Sequence, residues 1–537
     1  MNVYLLYADK ENAPGATYVD WNNITKDLGL NALFSAAGDD TIDKSGLGKD
    51  KKGHDAYIEH AVKRVMSTPL KTADEIQYRQ DILKDCMTKQ YMIDDLYELS
   101  CEVLDEWEKL GRKNSSAVET RSKGKLITDI KVLNLLTESV LKAQSIIAKN
   151  IDTLFSDGFK NLHERLSEEL NDKRTLDLLK LVDSLAYFSD ISPEERERNT
   201  YILRSPVMQL EFSIKEGLKM SDMQLDVLES EKISYNKQYG LGAKISDKIS
   251  ALAPGVISLT GDQALQADAE ALEYAVASYV YSYCGSLIKE FGEFFDQLHF
   301  QTAFYIGAVN LKACMAKYCT DYSFPLVSDK DILEFEDLKE LILSMELKGN
   351  TISNSGIYRD KQLVIITGAN QGGKSTFLRS IGTAQILMQC GLPVPAKKFR
   401  ASVKPSVFTH FTRREDSAMN SGRLDEELRR MDRIVRNVSR DSLVLLNESF
   451  ATTTEIEGSD IAYGIVKAFK ENGIKVYTVT HLLSFAKRMY EEYNDDESTV
   501  FLSAEHLEGG KRTFKMIPHA PEMTSFGLEL YEQVLGD

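Results

Sequence analysis

The sequence predicts two fold classes in one chain, a largely helical first part and an α/β last third. Apolar residues recur every three or four positions in two long stretches before residue 320. After residue 330, short apolar runs alternate with helical patterns, and a glycine-rich turn at 368–375 follows one of those runs. We therefore expect a sheet built around this turn, preceded by an all-α domain with two long helices.

Length and charge limit the domain count and the partners. A chain of 537 residues is too long for one core and favours two to four domains. The 65 Lys and Arg residues against 82 Asp and Glu give a net charge of −17, which disfavours general affinity for nucleic acid or anionic membrane. Any nucleic-acid surface must therefore be local.

The N-terminus and the cysteines predict an intracellular chain. The first 15 residues hold a short apolar run followed by charges, which is not a signal peptide, and no later run has membrane-spanning length. Six scattered cysteines without a C-x-x-C pair indicate neither a zinc site nor a disulfide framework. We expect a cytoplasmic protein that does not contact a membrane.

Two long helices dominate the first part. The first is predicted over 126–154 and the second from about 262 to 318, where the apolar stripe is broad and aromatic. Such a stripe is more often a packing seam than a platform for stacking bases. Residues 200–262 between them are irregular, with candidate short strands at 201–217.

This arrangement suggests a lever, a rigid rod that carries something at its far end. The predicted domains are a short N-terminal segment of unknown role (1–60), a helical core and lever domain (61–325) and an α/β domain (326–537). Residues of about 200–262 are the candidate for a clamp-like tip. Lys237, Lys244 and Lys248 in this tip are candidates for phosphate contact, with a solvated loop as the alternative.

The run LVIITGANQGGKST (363–376) reads as a buried strand, a phosphate loop and the start of a helix. Its glycines let successive N–H groups and the helix N-terminus approach an anion. Lys374 adds charge at the outer phosphates, and Ser375 offers a hydroxyl to Mg²⁺. The predicted nucleotide-binding residues are Gly368, Ala369, Asn370, Gln371, Gly372, Gly373, Lys374, Ser375 and Thr376.

A phosphate loop requires a second strand that delivers an acid beside the metal. The candidate is LVLLNE (443–448), in which Glu448 is placed to polarise an attacking water. The preceding position, usually Asp, is Asn447, which can bind Ser375 or a metal-bound water but brings no charge. His481 follows the apolar strand KVYTVT and is a candidate sensor of the γ-phosphate; a lone His is otherwise usually structural.

Several motifs together resemble the ATPase domain of the MutS DNA mismatch-repair family. They are TGANQGGKSTFLRSIG, GLPVPA (391–396), VFTHFTRREDSAMNSGRLDEEL, LVLLNES and VTH. Upstream, MSTPLKTADEIQYRQDILKD (66–85) is similar to the family's entry into its core and lever domain, and FKMIPHAPEMTSFGLEL (514–530) to the close of its ATPase domain. The resemblance implies an α/β P-loop (ABC-type) ATPase domain preceded by an all-α lever/core domain, with ATP and Mg²⁺ as cofactors.

The resemblance also implies a homodimer formed through the ATPase domains. Each nucleotide would be held by one subunit's phosphate loop and completed by a helix N-terminal serine of the other, for which Ser421 is the candidate. Such a serine is equally an ordinary helix cap. Glu426 and Glu427, in the first turns of the same helix, favour its N-terminus.

The sequence departs from the family pattern in three places. Asn447 replaces the usual acid, and the run after Glu448 is SFATTT, which predicts slow hydrolysis. The family's mismatch-reading domain, with its Phe-x-Glu wedge, has no room before residue 66. The letters Phe-Gly-Glu at 291–293 fall on the predicted long helix and are expected to be structural.

The first functional hypothesis is a dimeric, ATP-driven clamp that hydrolyses ATP slowly and binds structured or duplex DNA without reading mismatches. The alternative is a nucleotide-gated scaffold with little turnover that acts on protein partners or ribosomes. Asn447 and the altered run after Glu448 favour the scaffold, whereas Lys374, Ser375 and Glu448 favour the ATPase. A small-molecule kinase explains neither the helical arm nor the GLPVPA run.

Overall fold

The computed structural model describes residues 2–9, 15–39, 51–112, 123–171, 200–204, 208–215, 219–227, 257–258, 263–412, 422–507 and 511–521. Helices of this part are α1 (Trp21–Leu28), α2 (Asn31–Gly38), α3 (Lys51–Met66), α4 (Ala73–Thr88), α5 (Gln90–Arg112), α6 (Lys123–Ala148), α7 (Asp157–Asn171), α8 (Gln263–Tyr318), α9 (Leu341–Glu346), α10 (Lys374–Gln389), α11 (Arg423–Asn437), α12 (Glu455–Glu471) and α13 (Leu483–Tyr493).

The strands form three sheets. Their bounds are β1 (Thr200–Arg204), β2 (Met208–Lys215), β3 (Lys219–Val227), β4 (Ile257–Ser258), β5 (Leu326–Val327), β6 (Ile332–Leu338), β7 (Asn354–Arg359), β8 (Leu363–Thr367), β9 (Lys398–Ala401), β10 (Val407–Phe411), β11 (Leu443–Asn447), β12 (Lys475–Val479), β13 (Thr499–Leu507) and β14 (Lys511–Pro518). The sheet orders are β1-β2-β3-β4, β5-β9-β6-β7 and β10-β11-β12-β8-β13-β14.

The six-stranded sheet positions the candidate site. All its strands are parallel except β14, which pairs antiparallel with β13. Strands β8, β10, β11 and β12 are buried along their whole length, as expected for parallel strands covered on both faces. The carboxyl ends of these strands therefore lie at one edge of the sheet.

One compact unit comprises residues 1–3, 94–154 and 159–300. It contains α6, most of α5 and α7, and the four-stranded sheet β1 to β4, so the expectation of an all-α domain in this part of the chain was wrong. In this unit Phe291 is buried, and a Cβ added at Gly292 would lie 2.1 Å from the ring of Trp107. Phe291 and Gly292 thus have a packing role, as the sequence predicts, whereas Glu293 is exposed.

The second compact unit comprises residues 4–93, 155–158 and 301–537. It includes the six-stranded sheet, and its buried Arg79 joins distant segments: the guanidinium donates to the carbonyl of Leu6 at 2.9 Å and to that of Cys390 at 3.1 Å. Helix α4 of this unit begins with a reciprocal capping box between Thr72 and Glu75. Helix α1 packs on β10 and α10.

The helix predictions are confirmed in one case and corrected in another. The second long helix is observed as α8, with the bounds Gln263–Tyr318. The first, predicted to reach residue 154, ends at Ala148 and is followed by a 3₁₀ turn at Ile151–Thr153. The side chain of Asn150 donates to the carbonyl of Ile146 and so competes with continuation of the helix. The domain boundaries predicted from the sequence stay a prediction.

The membrane prediction was tested only in part. No helix in the described ranges is long and apolar enough to cross a membrane. The cytoplasmic location stays a prediction.

Candidate functional site

The glycine-rich loop, residues 368–375, connects β8 to α10 at the carboxyl edge of the sheet. Strand β8 lies between β12 and β13, and its apolar run is buried because both faces are covered. Gly368 has a φ of +106°, and a Cβ there would lie 2.7 Å from Ser503 Oγ. Gly373, with a φ of +87°, precedes the first residue of α10. The glycines therefore let the backbone turn where a side chain has no room.

Lys374 folds back onto this loop. Its Nζ donates to the carbonyls of Gly368 and Ala369, at 2.7 Å each, and the residue is only 4% exposed. Burial lowers the pKa of the Lys374 ammonium to about 8; the carboxylate of Glu448 opposes this shift and the guanidinium of Arg512 adds to it. The ammonium thus donates its hydrogen bonds to two neutral carbonyl groups. An anion bound in the loop can replace these carbonyls as the acceptor.

A cavity of about 310 Å³ opens above the loop. Residues 370–376, Glu448 and His481 line it, so the structure brings together the loop and both predicted catalytic residues. Gly368 and Ala369 lie at the base of the loop, where their carbonyls hold Lys374. One side of the cavity is lined by the glycine-rich loop, by Lys374 and by the first residues of α10, and a glycine-rich loop at a helix N-terminus is suited to bind phosphate.

Glu448 and His481 form a pair at the cavity wall. His481 Nε2 lies 3.1 Å from Glu448 Oε1, and the two side chains are 29% and 37% exposed. The hydrogen bond from His481 lowers the pKa of the Glu448 carboxyl, burial opposes this, and the charge of Lys374 contributes further lowering. Glu448 is therefore ionised at neutral pH and can accept a hydrogen bond from a water.

Asn447 ends β11, next to Val479 of β12 in the parallel register. Its side-chain oxygen is buried and makes no hydrogen bond to Ser375 or to any other residue in the described ranges. A buried polar atom without a partner costs free energy unless a ligand or a water satisfies it. Ser375 and Glu448 line the cavity, whereas Asn447 is not among its lining residues, so its oxygen fits at most a water-mediated ligation of Mg²⁺.

The side chains at the site fit a metal ion that is held partly by the phosphates of a nucleotide. Among the residues that the structure describes, no group of three or more His, Cys, Asp and Glu side chains could hold a metal ion alone. Mg²⁺ bound through one or two side chains and substrate phosphates needs no such group.

Sequence reasoning missed the apolar wall of the cavity. Leu347, Ile352 and Phe514 line it while being 47%, 51% and 42% exposed. Large exposed apolar side chains beside a polar loop are suited to a planar ring. Nothing in the periodicity marks them, because they lie in a loop and on an edge strand. Arg512 was missed as well: it donates to the Gln371 side chain at 3.0 Å.

Other predicted residues lie outside the described ranges. They are Ser421, the candidate for completing a partner's site, and the candidate DNA contacts Lys237, Lys244 and Lys248.

The fold and the site define a class of protein: an α/β domain whose mixed sheet carries a glycine-rich, anion-compatible loop between a central strand and the next helix. Comparison with known proteins then identifies the family. The family model described as MutS domain V matches residues 364–534, and the model described as MutS2 N-terminal domain matches residues 71–318.

Curated relatives agree with these matches. The DNA mismatch repair protein MutS of Clostridium botulinum strain Hall is 22% identical over 489 residues, which cover 87% of this chain and 51% of that protein. The protein of the same name from Microcystis aeruginosa is 22% identical over 480 residues, 86% of this chain and 52% of the relative. The chain belongs to the MutS family, as its motifs predict, and it spans about half the length of the curated relatives it matches.

Proposed function

We propose that this chain is a Mg²⁺-dependent ATPase of the MutS type that couples ATP binding to the movement of a DNA clamp. The observation that carries this proposal is the convergence of Lys374, Glu448 and His481 on one cavity above the glycine-rich loop. Strand ends at the carboxyl edge of a parallel sheet are where α/β proteins bind ligands. The match to MutS domain V supports ATP as the nucleotide.

Each residue then has a role toward the nucleotide. The loop N–H groups and the N-terminus of α10 hold the phosphates, and Lys374 neutralises their charge. Ile352 and Phe514 provide an apolar surface for the base. Bound ATP and Mg²⁺ supply the scissile phosphoanhydride bond and its charge neutralisation.

Hydrolysis depends on Glu448 and His481. The ionised Glu448 orients a water toward the γ-phosphate, and His481 fixes the carboxylate through the 3.1 Å hydrogen bond. Asn447 can hold a metal-bound water through its free oxygen but adds no negative charge. We therefore propose slow turnover, because the metal is bound more weakly than beside an aspartate.

The DNA part of the proposal rests on the family. The curated relatives are named as DNA mismatch repair proteins, and the helical region matches a MutS2 N-terminal domain. We propose a homodimer closed through the ATPase domains, with Ser421 completing the partner's site and Lys237, Lys244 and Lys248 contacting DNA. We further propose binding to duplex or structured DNA without mismatch reading. In keeping with this, Phe291, the phenylalanine of the Phe-Gly-Glu run, has a buried ring.

The test is steady-state ATP hydrolysis by the full chain with no DNA and with plain, branched and mismatched duplex. Lys374→Ala and Glu448→Gln are the active-site controls. Turnover that DNA stimulates without mismatch preference, and that Glu448→Gln abolishes while ATP still binds, supports the proposal. A chain that binds ATP and never hydrolyses it is instead a nucleotide-gated scaffold, a function favoured by Asn447 and by the SFATTT run.

A further inference from the structure

The segment that follows Glu448 has an unusual backbone. Glu448 and Phe450 both have positive φ values, +55° and +65°, although both carry a Cβ. A positive φ is sterically unfavourable for such residues. The conformation therefore persists only where the surrounding structure holds it. The position of the Glu448 carboxylate therefore depends on what holds this turn, residues 448–452.

Helix α11 holds the turn through Glu427. The Glu427 side chain is buried, and its Oε2 accepts hydrogen bonds from Phe450 N and Thr452 Oγ1, both at 3.1 Å. Its Oε1 lies 3.3 Å from Thr412 Oγ1, which itself donates to the carbonyl of Glu448 at 2.6 Å. One carboxylate thus binds the turn at Phe450 and Thr452 and lies beside the Thr412 hydroxyl that binds the Glu448 carbonyl.

His410 of β10 makes a second tie between the same elements. Its Nε2 lies 3.0 Å from the carbonyl oxygen of Glu427 and must donate to it, since a carbonyl only accepts. Its Nδ1 lies 2.7 Å from Ser449 Oγ, and the ring stacks on Phe450. Helix α11, strand β10 and the turn are therefore joined by one buried polar network.

A buried carboxylate is a costly way to fill space. Burial raises the pKa of the Glu427 carboxyl, and the hydrogen bonds from Thr452 and Phe450 oppose this. An apolar side chain would pack there without that cost. Hydrogen bonds to a buried carboxylate specify a geometry, and here they specify the turn that carries Glu448.

We infer that Glu427 is a positioning residue that fixes the Glu448 turn and couples it to helix α11. The inference rests on the proposed ATPase function and deepens it. Helix α11 starts two residues after Ser421, the residue proposed to meet the partner's nucleotide. A nucleotide bound by the partner would then act on this subunit's Glu448 through α11, Glu427 and Phe450.

The first arm of the test needs no catalysis. Hydrogen exchange of the peptide covering 448–454 is followed by mass spectrometry in the full-length wild type, Glu427→Ala, Glu427→Gln and the neighbouring control Glu426→Ala. We expect Glu427→Ala to speed exchange of this peptide about tenfold, because the Phe450 N–H loses its charged acceptor. Exchange of β11 should stay the same. Unchanged exchange in Glu427→Ala overturns the inference, whether or not the chain is an ATPase.

The second arm measures kcat and KM for ATP in the same variants. Glu427→Ala should lower kcat about a hundredfold, as misplacing a reacting group does, and leave KM nearly unchanged. Glu427→Gln, which keeps one acceptor oxygen, should recover most of the rate, and Glu426→Ala should match the wild type.

The outcomes separate this inference from the proposed function. An active wild type with an equally active Glu427→Ala refutes the positioning role alone. Glu427→Ala could instead lower kcat, raise KM and lower the thermal stability, with no recovery in Glu427→Gln. Glu427 would then have only a folding role, and this result also overturns the inference. A wild type that binds ATP without hydrolysing it overturns the ATPase proposal, and the exchange experiment then decides the role of Glu427.

Discussion

Asp27 Oδ2 lies 2.8 Å from the Nη2 of Arg430, and the two side chains are 2% and 7% exposed. The same oxygen accepts hydrogen bonds from Thr409 Oγ1 at 2.9 Å and from Phe411 N at 3.3 Å. Helix α1 is thereby fixed to both β10 and α11. The N-terminal segment, for which the sequence suggests no role, is part of the support of the six-stranded sheet.

Replacing Asp27 by Asn should destabilise the unit that contains the sheet. The change removes the carboxylate from a buried ion pair with Arg430, and breaking a buried ion pair costs about 3–5 kcal/mol. Urea unfolding, monitored by intrinsic fluorescence, should show a midpoint at a lower urea concentration than in the wild type.

The matched control is Asp432→Asn, which removes an exposed ion pair with Arg436 on the same helix. Its side chains are 57% and 72% exposed, so water screens the pair and the transition should not move. Equal midpoints for Asp27→Asn and Asp432→Asn would show that the buried pair contributes no net stability.

The strands and the loop could be predicted because their signals are local. The strand expected at the start of LVLLNE (443–448) is observed as Leu443–Asn447, and the strand KVYTVT (475–480) as Lys475–Val479. Buried parallel strands are nearly continuous apolar runs bounded by polar residues. The glycine spacing located the loop for the same reason, since its φ angles require glycine at fixed positions.

The contacts that support the site could not be predicted. Asp27 and Arg430 are 403 positions apart, and no local pattern pairs them. Glu427 looks like an acid that favours a helix N-terminus, yet its carboxylate is buried against Phe450 and Thr452. Local periodicity reports which face of an element is apolar, whereas these polar contacts depend on how distant elements meet. The roles of the site residues themselves stay predictions.

Removing the His481 ring should shift the pH dependence of hydrolysis. The hydrogen bond from His481 is the largest cause of the lowered pKa of Glu448, and Glu448 acts as a base only when ionised. Activity is therefore present above the pKa of Glu448 and lost as the pH falls through it. In His481→Ala that pKa rises, so the acid limb of the kcat profile should move to higher pH. An acid limb at the wild-type position would show that another group limits the rate.

The affinity for ATP should fall as the pH rises through about 8. Below its lowered pKa of about 8, Lys374 is charged in the nucleotide-free chain, and above it the ammonium deprotonates. Binding a phosphate must then take up a proton, so the affinity decreases by at most about tenfold per pH unit. Calorimetry without Mg²⁺, in buffers of different ionisation enthalpy, measures both the affinity and the proton uptake.

Lys374→Met is the control for this titration. It should bind ATP weakly, with an affinity that does not change between pH 7 and pH 9, because no ammonium titrates at the loop. A wild-type affinity that is equally constant over this range would indicate that Lys374 stays charged without nucleotide.

Asn447→Asp should lower the Mg²⁺ concentration that half-saturates the enzyme and should lower the thermal stability of the nucleotide-free chain. The side-chain oxygen of Asn447 is buried without a hydrogen bond at the end of β11, so a carboxylate there adds charge where the metal shell would lie. We expect half-saturation at about tenfold lower Mg²⁺ with ATP present, in line with ligand-shell substitutions. Without nucleotide the buried carboxylate lacks a counter-ion, so the melting temperature should drop and recover with Mg²⁺ and ATP. Asn447→Ala, which removes the oxygen, should instead need more Mg²⁺. If all three proteins required the same Mg²⁺ concentration, position 447 would not contact the metal shell, and slow turnover would need another cause.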